Sequence, residues 1–262
     1  MSKPLAIVTG ASSGIGYNLA KVFAENGFDL IIGSNSSDLE QAERDFRDLG
    51  VTVTAVEADL ATYDGVEELW KAVEATGRSV EAAAINAGIG VGGLFAETDL
   101  DTEINIVRLN VESTVHLSKR VVQHMLKRGT GKILITSSIA GEMVAPRLAV
   151  YSASKAFDLS FAKSLRAELE DTGITVTALQ PGPTETNFFH RADMDDMKLA
   201  QDKDKHSDPY DVAKQGFEAL MKGEKHVYAA IASVKFQGAM ANFVPDSVKA
   251  SMHKKETEPV HK

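Results

Sequence analysis

The chain has 262 residues, 44% of them hydrophobic, and 28 Lys and Arg against 37 Asp and Glu leave a formal net charge of -9, a length that suits one sizeable α/β core and a balance that argues against nucleic acid as a partner. Zero cysteines exclude disulfides and thiolate chemistry, and the seven scattered histidines make no ligand spacing, so no metal site is expected. Residues 1–9 run straight into a strand-like segment and no apolar stretch approaches the roughly 20 residues of a membrane span, so the expectation is one soluble, cytoplasmic domain over residues 1–262 without a membrane partner.

In chain order, residues 4–9 read as a short buried strand, followed by a Gly/Ser turn and an amphipathic helix to about Asn26, with Gly27 as its stop. The pattern repeats: strand 29–33, helix 38–49, strand 51–57, helix 65–75, strand 80–86. A long helix follows over about 101–127, then strand 132–136, helix 151–171 and strand 175–180. Such alternation implies an α/β parallel sheet covered on both faces through right-handed crossovers. The run Lys132-Ile-Leu-Ile-Thr136 is apolar on both faces, as a doubly covered sheet requires.

After Pro181 the regularity breaks. Residues 183–208 are polar and dotted with Phe188, Phe189, Met194 and Met197, which suggests an insertion over the site, the alternative being a solvated connection. Another helix starts near Pro209, and the charged tail from His253 is expected to fray.

Two motifs carry chemistry. The loop Thr9-Gly10-Ala11-Ser12-Ser13-Gly14-Ile15-Gly16 lies between the first strand and the first helix, where backbone N–H groups can hold a pyrophosphate; Gly10, Ser12, Ser13, Gly14, Ile15 and Gly16 are the candidates. Its spacing is Gly-x3-Gly-x-Gly, so position after a strand counts as much as composition. The second motif is Tyr-x3-Lys, which occurs as Tyr17 with Lys21, Tyr151 with Lys155 and Tyr210 with Lys214. Context selects Tyr151: the equivalent step back reaches Ser138, whereas from the others it reaches Pro4 and Met197. Hydride transfer to a carbonyl places negative charge on its oxygen, and Tyr151 and Ser138 supply a proton donor and a fixed hydrogen-bond donor. Lys155, one helical turn on, is expected to lower the Tyr151 pKa for the oxidative direction. Each residue also has a plain reading, as a turn serine, a helix-start aromatic and a solvated lysine.

With Asn86-Ala87-Gly88, Asn110 and Pro181-Gly182, these motifs form an ordered, collinear set over residues 4–187 that resembles the short-chain dehydrogenase/reductase family. The resemblance implies a Rossmann-like doubly wound parallel sheet of about seven strands with helices on both faces. It places Asp59 and Leu60 at the adenine, Asn86, Ala87 and Gly88 along the ribose, and Pro181, Gly182, Thr184 and Thr186 at the nicotinamide end. It makes Tyr151 the general acid/base, has Lys155 bind the nicotinamide ribose as well, and gives Asn110 a water that links Lys155 to solvent. Asp59 also reads as a turn cap, and Asn86 as a bridge between strands.

By the same resemblance, Gly33 stands where NAD-preferring relatives carry Asp, and Ser34 near where NADP-preferring ones carry Arg. Without an acid there, Ser34, Asn35 and Ser36 are free to bind a phosphate, so NADP(H) is favoured over NAD(H). The expected function is an NAD(P)-dependent oxidoreductase interconverting a carbonyl and an alcohol, on a substrate with an apolar body. Leu94, Met143, Val144, Phe188, Phe189 and Met194 are the pocket candidates. The relatives' habit implies a homodimer or homotetramer. The alternatives are a non-catalytic NAD(P)-binding sensor or scaffold, and an epimerase or dehydratase that recycles the nicotinamide. His116 and His124 are assigned no role.

Overall fold

A computed structural model describes residues 3–230, 253, 254 and 256–260. The short apolar runs become strands β1 (Leu5–Thr9), β2 (Asp29–Ser34), β3 (Val53–Glu57), β4 (Val80–Ile85), β5 (Thr130–Thr136), β6 (Gly173–Pro181) and β7 (His226–Ala229). They pair in parallel in the order β3-β2-β1-β4-β5-β6-β7. The chain winds outward from β1 to β3 and then crosses back to β4. A crevice therefore opens at the carboxyl ends of β1 and β4, the place where doubly wound sheets bind ligands.

Alternation along each strand divides the core in two. Ala6 and Val8 of β1 face one layer with Leu19, Phe23, Phe46 and Phe217, while Leu5 and Ile7 face the other with Leu69, Trp70, Leu117 and Leu159. The first layer is α1 (Gly14–Glu25), α2 (Leu39–Asp48) and, as numbered below, the helix at residues 209–222. The second comprises α3 (Tyr63–Ala75), the helices of residues 100–126 and the one at residues 149–168.

The expected long helix is a composite of α4 (Leu100–Ile106), a π-helical turn over Val107–Glu112 and α5 (Ser113–Leu126). Such turns often occur at functional positions, and this one contains the buried Asn110. Then come α6 (Ala149–Glu168), the short α7 (Phe188–Arg191) and α8 (Lys198–Gln201), and α9 (Pro209–Lys222). Asp208 caps α9 through the N–H groups of Tyr210 and Asp211, Pro209 opens it, and Gly223 ends it at φ 69°.

The expected fraying of the tail is corrected at its described residues. His253 and Thr257 are buried at 5% and 0% exposure. Pro259 bridges Met197, and the Val260 N–H donates to Asp196 O at 2.8 Å. Apolar and hydrogen-bonding partners in residues 194–198 hold what charge alone suggested would be loose. Among the described residues, no helix is long and apolar enough to cross a membrane.

Candidate active site

The glycine loop forms the wall of the crevice at the end of β1. Gly10 and Gly14 adopt φ of 68° and 58°, which favours glycine, and a Cβ on Gly16 would stand 2.1 Å from Gly10 O. Ser13 occupies the N-cap of α1, yet its hydroxyl caps nothing, so the helix opens on the cleft with its first-turn N–H groups uncapped by a side chain. The Ser12 and Ser34 hydroxyls lie 2.9 Å apart. Gly10, Ser12, Ser13, Gly14, Ile15, Gly16, Ser34 and Asn35 all border the same cleft.

Two residues expected at this end lie elsewhere. Ser36 is off the cleft wall: its hydroxyl donates to Asp38 at 3.2 Å and its N–H to Ser34 Oγ. Gly33 points at Leu69, 3.2 Å from where its Cβ would be, because alternate strand residues face opposite layers. A side chain at 33 would enter the core, which leaves Ser34 and Asn35 as the residues at the cleft.

Asp59 and Leu60 also border the cleft, and Asp59 Oδ1 accepts the Ala61 N–H at 3.0 Å, so the turn reading holds alongside the cleft position. Asn86 does bridge strands: its N–H donates to Thr9 Oγ1, its Nδ2 to Thr9 O, and its Oδ1 accepts the Thr136 hydroxyl at 3.1 Å. These bonds hold Ala87 and Gly88 at the cleft beside the loop. A Cβ on Gly88 would reach 3.3 Å from Lys155 Nζ, so glycine keeps the approach to that ammonium open. Across the cleft, Pro181, Gly182, Thr184 and Thr186 complete the wall. Thr186 Cγ2 would stand 3.2 Å from a Cβ on Gly14.

Ser138 follows β5, Tyr151 and Lys155 come from α6, and all three border this cleft. Ser138 Oγ accepts the Ala140 N–H at 3.1 Å and is within hydrogen-bonding reach of the Tyr151 phenol. Lys155 Nζ donates to Thr136 O at 2.9 Å and to Asp158 Oδ2 at 3.0 Å, with both side chains almost fully buried. The expected lowering of the Tyr151 pKa is not what the isolated protein shows. Burial pushes the phenol above its ordinary value, against the pull of the Lys155 ammonium and Ser138, and the Asp158 charge adds to the rise.

Asn110 lies fully buried behind the cleft. Its Oδ1 accepts the Ile89 N–H at 3.0 Å, and its Nδ2 donates to Ile89 O and to Ser154 Oγ, each at 2.9 Å. The side chain thus clamps the strand-end segment against α6 and is directed at Ile89 and Ser154.

At the open end, Met143, Phe188, Phe189 and Met194 line an apolar lobe, with the Phe188 ring 5.2 Å from the Tyr151 ring. Leu94 and Val144, expected there, are 44% and 40% exposed and lie off the cleft. Sequence reasoning missed three residues. Asp158 was signalled by a carboxylate on the buried face of α6; Arg191 Nη1 donates to Ser13 Oγ at 3.1 Å, and His253 lies with Nε2 3.1 Å from Met143 Sδ. Neither of the last two has a local sequence signal.

The cleft fits a dinucleotide: a glycine-lined loop opening on an uncapped helix start, small residues at 86–88, and a buried ammonium kept accessible by Gly88. The short chain dehydrogenase family profile matches residues 4–196, and the chain belongs to that family of oxidoreductases. It is 34% identical to a Drosophila melanogaster protein described as dehydrogenase/reductase SDR family protein 7-like, over 70% of this chain and 58% of that protein. Against the uncharacterized oxidoreductase YmfI of Bacillus subtilis the identity is 32%, over 71% of this chain and 77% of the other. A short-chain dehydrogenase from Sphingobium yanoikuyae, solved in complex with NADPH, superposes with a TM-score of 0.80 at 25% identity, covering 99% of this chain and 98% of that one.

Proposed function

We propose that this chain is an NAD(P)-dependent enzyme that interconverts a carbonyl and an alcohol, with Tyr151 as the general acid/base. The observation that carries the reading is the convergence of Ser138, Tyr151 and Lys155 on the cleft that the glycine loop opens. A bound nicotinamide supplies or accepts the hydride. Tyr151 donates its phenolic proton to the carbonyl oxygen as negative charge develops there, and Ser138 donates a second hydrogen bond to the same oxygen. The Lys155 ammonium stabilises the tyrosinate left behind and, with a donor directed past Gly88, binds the ribose. A phenol held protonated by burial suits the reductive direction.

The glycine loop with Asp59, Leu60 and residues 86–88 takes the adenosine and pyrophosphate, and residues 181–186 the nicotinamide end. Ser34 and Asn35 accommodate a 2′-phosphate, with no acid among residues 33–36 to repel it, which favours NADP(H). Residues 183–208 form a lobe over the reacting end, where Phe188, Phe189, Met143 and Met194 select a substrate with an apolar body. Asn110 holds the wall from behind through Ile89.

The test is NADPH and NADH oxidation against a panel of aldehydes, ketones and diones, run beside Tyr151→Phe. Turnover with apolar carbonyls, reduced at least about 10²-fold in the variant with NADPH affinity kept, is the expected result. Tight cofactor binding with no turnover across the panel would instead favour a dinucleotide-binding sensor.

A further inference from the structure

The catalytic reading uses Ser138, Tyr151 and Lys155 and leaves a buried acid unexplained. Asp158 lies one turn beyond Lys155 on α6, with its side chain 1% exposed. Its neighbours on the inward face of the helix, Leu159 and Ala162, belong to the hydrophobic core. An apolar residue would fill this position without desolvating a charge, and a buried ion pair is weak support for stability. One oxygen, Oδ2, lies 3.0 Å from Lys155 Nζ; the other, Oδ1, is buried with no hydrogen-bond partner among the described residues. Burial pushes the Asp158 carboxyl above its ordinary value, and the Lys155 ammonium beside it pulls the other way.

We infer that Asp158 is a positioning residue for the reaction, a buried partner that holds the Lys155 ammonium in place beside Tyr151. The inference rests on the proposed oxidoreductase reading. Lys155 is itself almost fully buried, and Asp158 is the carboxylate paired with it. Two of its donors are fixed by Asp158 Oδ2 and Thr136 O, which leaves the third for the cleft side, where Gly88 lies. Asp158 thereby sets where the ammonium points, and its charge helps to raise the pKa of the Tyr151 phenol.

Several other charged groups on elements packed against α6 have partners away from Lys155. Glu103 of α4 accepts the Thr98 hydroxyl, Glu142 after β5 accepts the Tyr228 hydroxyl, and Lys132 of β5 donates to Met221 O at the surface. Asp59, Arg191, Lys205, His253 and Glu256 border the cleft itself. Of all these, Lys155 and Asp158 are the charges that act on the Tyr151 phenol, and they act in opposite senses.

The Asp158 charge helps to raise the Tyr151 pKa, so removing it lets the phenol lose its proton at lower pH. The test follows two quantities across pH in the full chain carrying Asp158→Asn: the NADPH dissociation constant, measured by fluorescence without substrate, and kcat/KM for carbonyl reduction. The alkaline limb of kcat/KM is expected to move to lower pH by about one unit, and NADPH affinity to fall several-fold because the ammonium loses one of its two fixed partners. Asp158→Leu, which fills the site without charge, gives the same reading where the amide disturbs folding, and circular dichroism reports the fold of each. A limb that stays in place or moves upward overturns the inference, and a uniform loss of rate with the limb unmoved marks a merely structural residue. The binding measurement needs no turnover: weakened NADPH binding in a variant of a protein inactive across the whole carbonyl panel would sink the catalytic reading while leaving the hold of Asp158 on the ammonium standing.

Discussion

Arg191 Nη1 donates to Ser13 Oγ at 3.1 Å, a hydrogen bond that joins α7 of the lobe after β6 to the glycine loop after β1. The guanidinium is exposed and borders the cleft at the uncapped start of α1, where a pyrophosphate would lie. Arginine at such a place pairs with phosphate oxygens through a planar fork.

Arg191→Ala is therefore expected to raise the NADPH dissociation constant about tenfold, the loss of one charge-assisted contact, while kcat changes little. Fluorescence titration with NADPH checks it. An unchanged constant would show that Arg191 serves only to tie the lobe to the loop.

The loop itself is tested by steric means. A Cβ on Gly16 would stand 2.1 Å from Gly10 O and 2.6 Å from Asn86 Nδ2, and the first of these is backbone that cannot move alone. Gly16→Ala is expected to destabilise the chain by about 1–3 kcal/mol and to abolish measurable NADPH binding. Gly27→Ala supplies the contrast: at φ 80° with nothing within 4 Å, it costs about 1 kcal/mol in strain and leaves binding intact. Thermal melts and cofactor titration of the pair separate loop geometry from general destabilisation; equal binding in both variants would contradict the assignment of the loop.

Most of the fold was legible because its signals are local. Apolar runs such as 132–136 and the alternation with helices specified six of the strands and their parallel sense, with boundaries moved by up to three residues, at α3 because Thr62 accepts the Gly65 N–H and starts the helix at Tyr63. The edge strand β7 escaped because it has only four residues, three of them partly or fully exposed. The cleft was legible wherever a residue lies near its motif in sequence. Arg191 and His253 reach it through tertiary contacts, and Gly33 was misjudged because strand alternation decides which of two adjacent residues faces the ligand. Tyr151 shows the same limit in electrostatics: Lys155 is visible four residues on, whereas the burial that outweighs it is not.

On the proposed reading, cofactor preference turns on Ser34, whose hydroxyl meets that of Ser12 at the cleft. Ser34→Asp introduces a carboxylate that accepts from ribose hydroxyls and repels a 2′-phosphate, so KM for NADPH is expected to rise at least about tenfold while that for NADH falls or holds. Steady-state kinetics with both cofactors checks this. A ratio that does not move would place the phosphate away from Ser34.

Acid stability offers a test far from the cleft. Asp29, at the start of β2, accepts the Thr52 N–H at Oδ1 and the Arg78 guanidinium at Oδ2, each at 2.8 Å. Burial pushes its carboxyl up, but these partners more than offset that and hold it below the usual carboxylate value. A depressed folded pKa means that Asp29 contributes stability above its unfolded value near 4, and that this contribution disappears as pH falls through the lower, folded value. Arg78→Ala removes one of the two partners. At neutral pH it is expected to cost about 1–3 kcal/mol in urea unfolding. Near pH 3 the gap to the parent should narrow, because protonation has by then begun to remove the same interaction in the parent. What remains there reflects the bond from Arg78 to Lys3 O, which does not titrate. A gap of equal size at both pH values would show that Arg78 stabilises the chain through packing and that backbone bond, without the carboxylate.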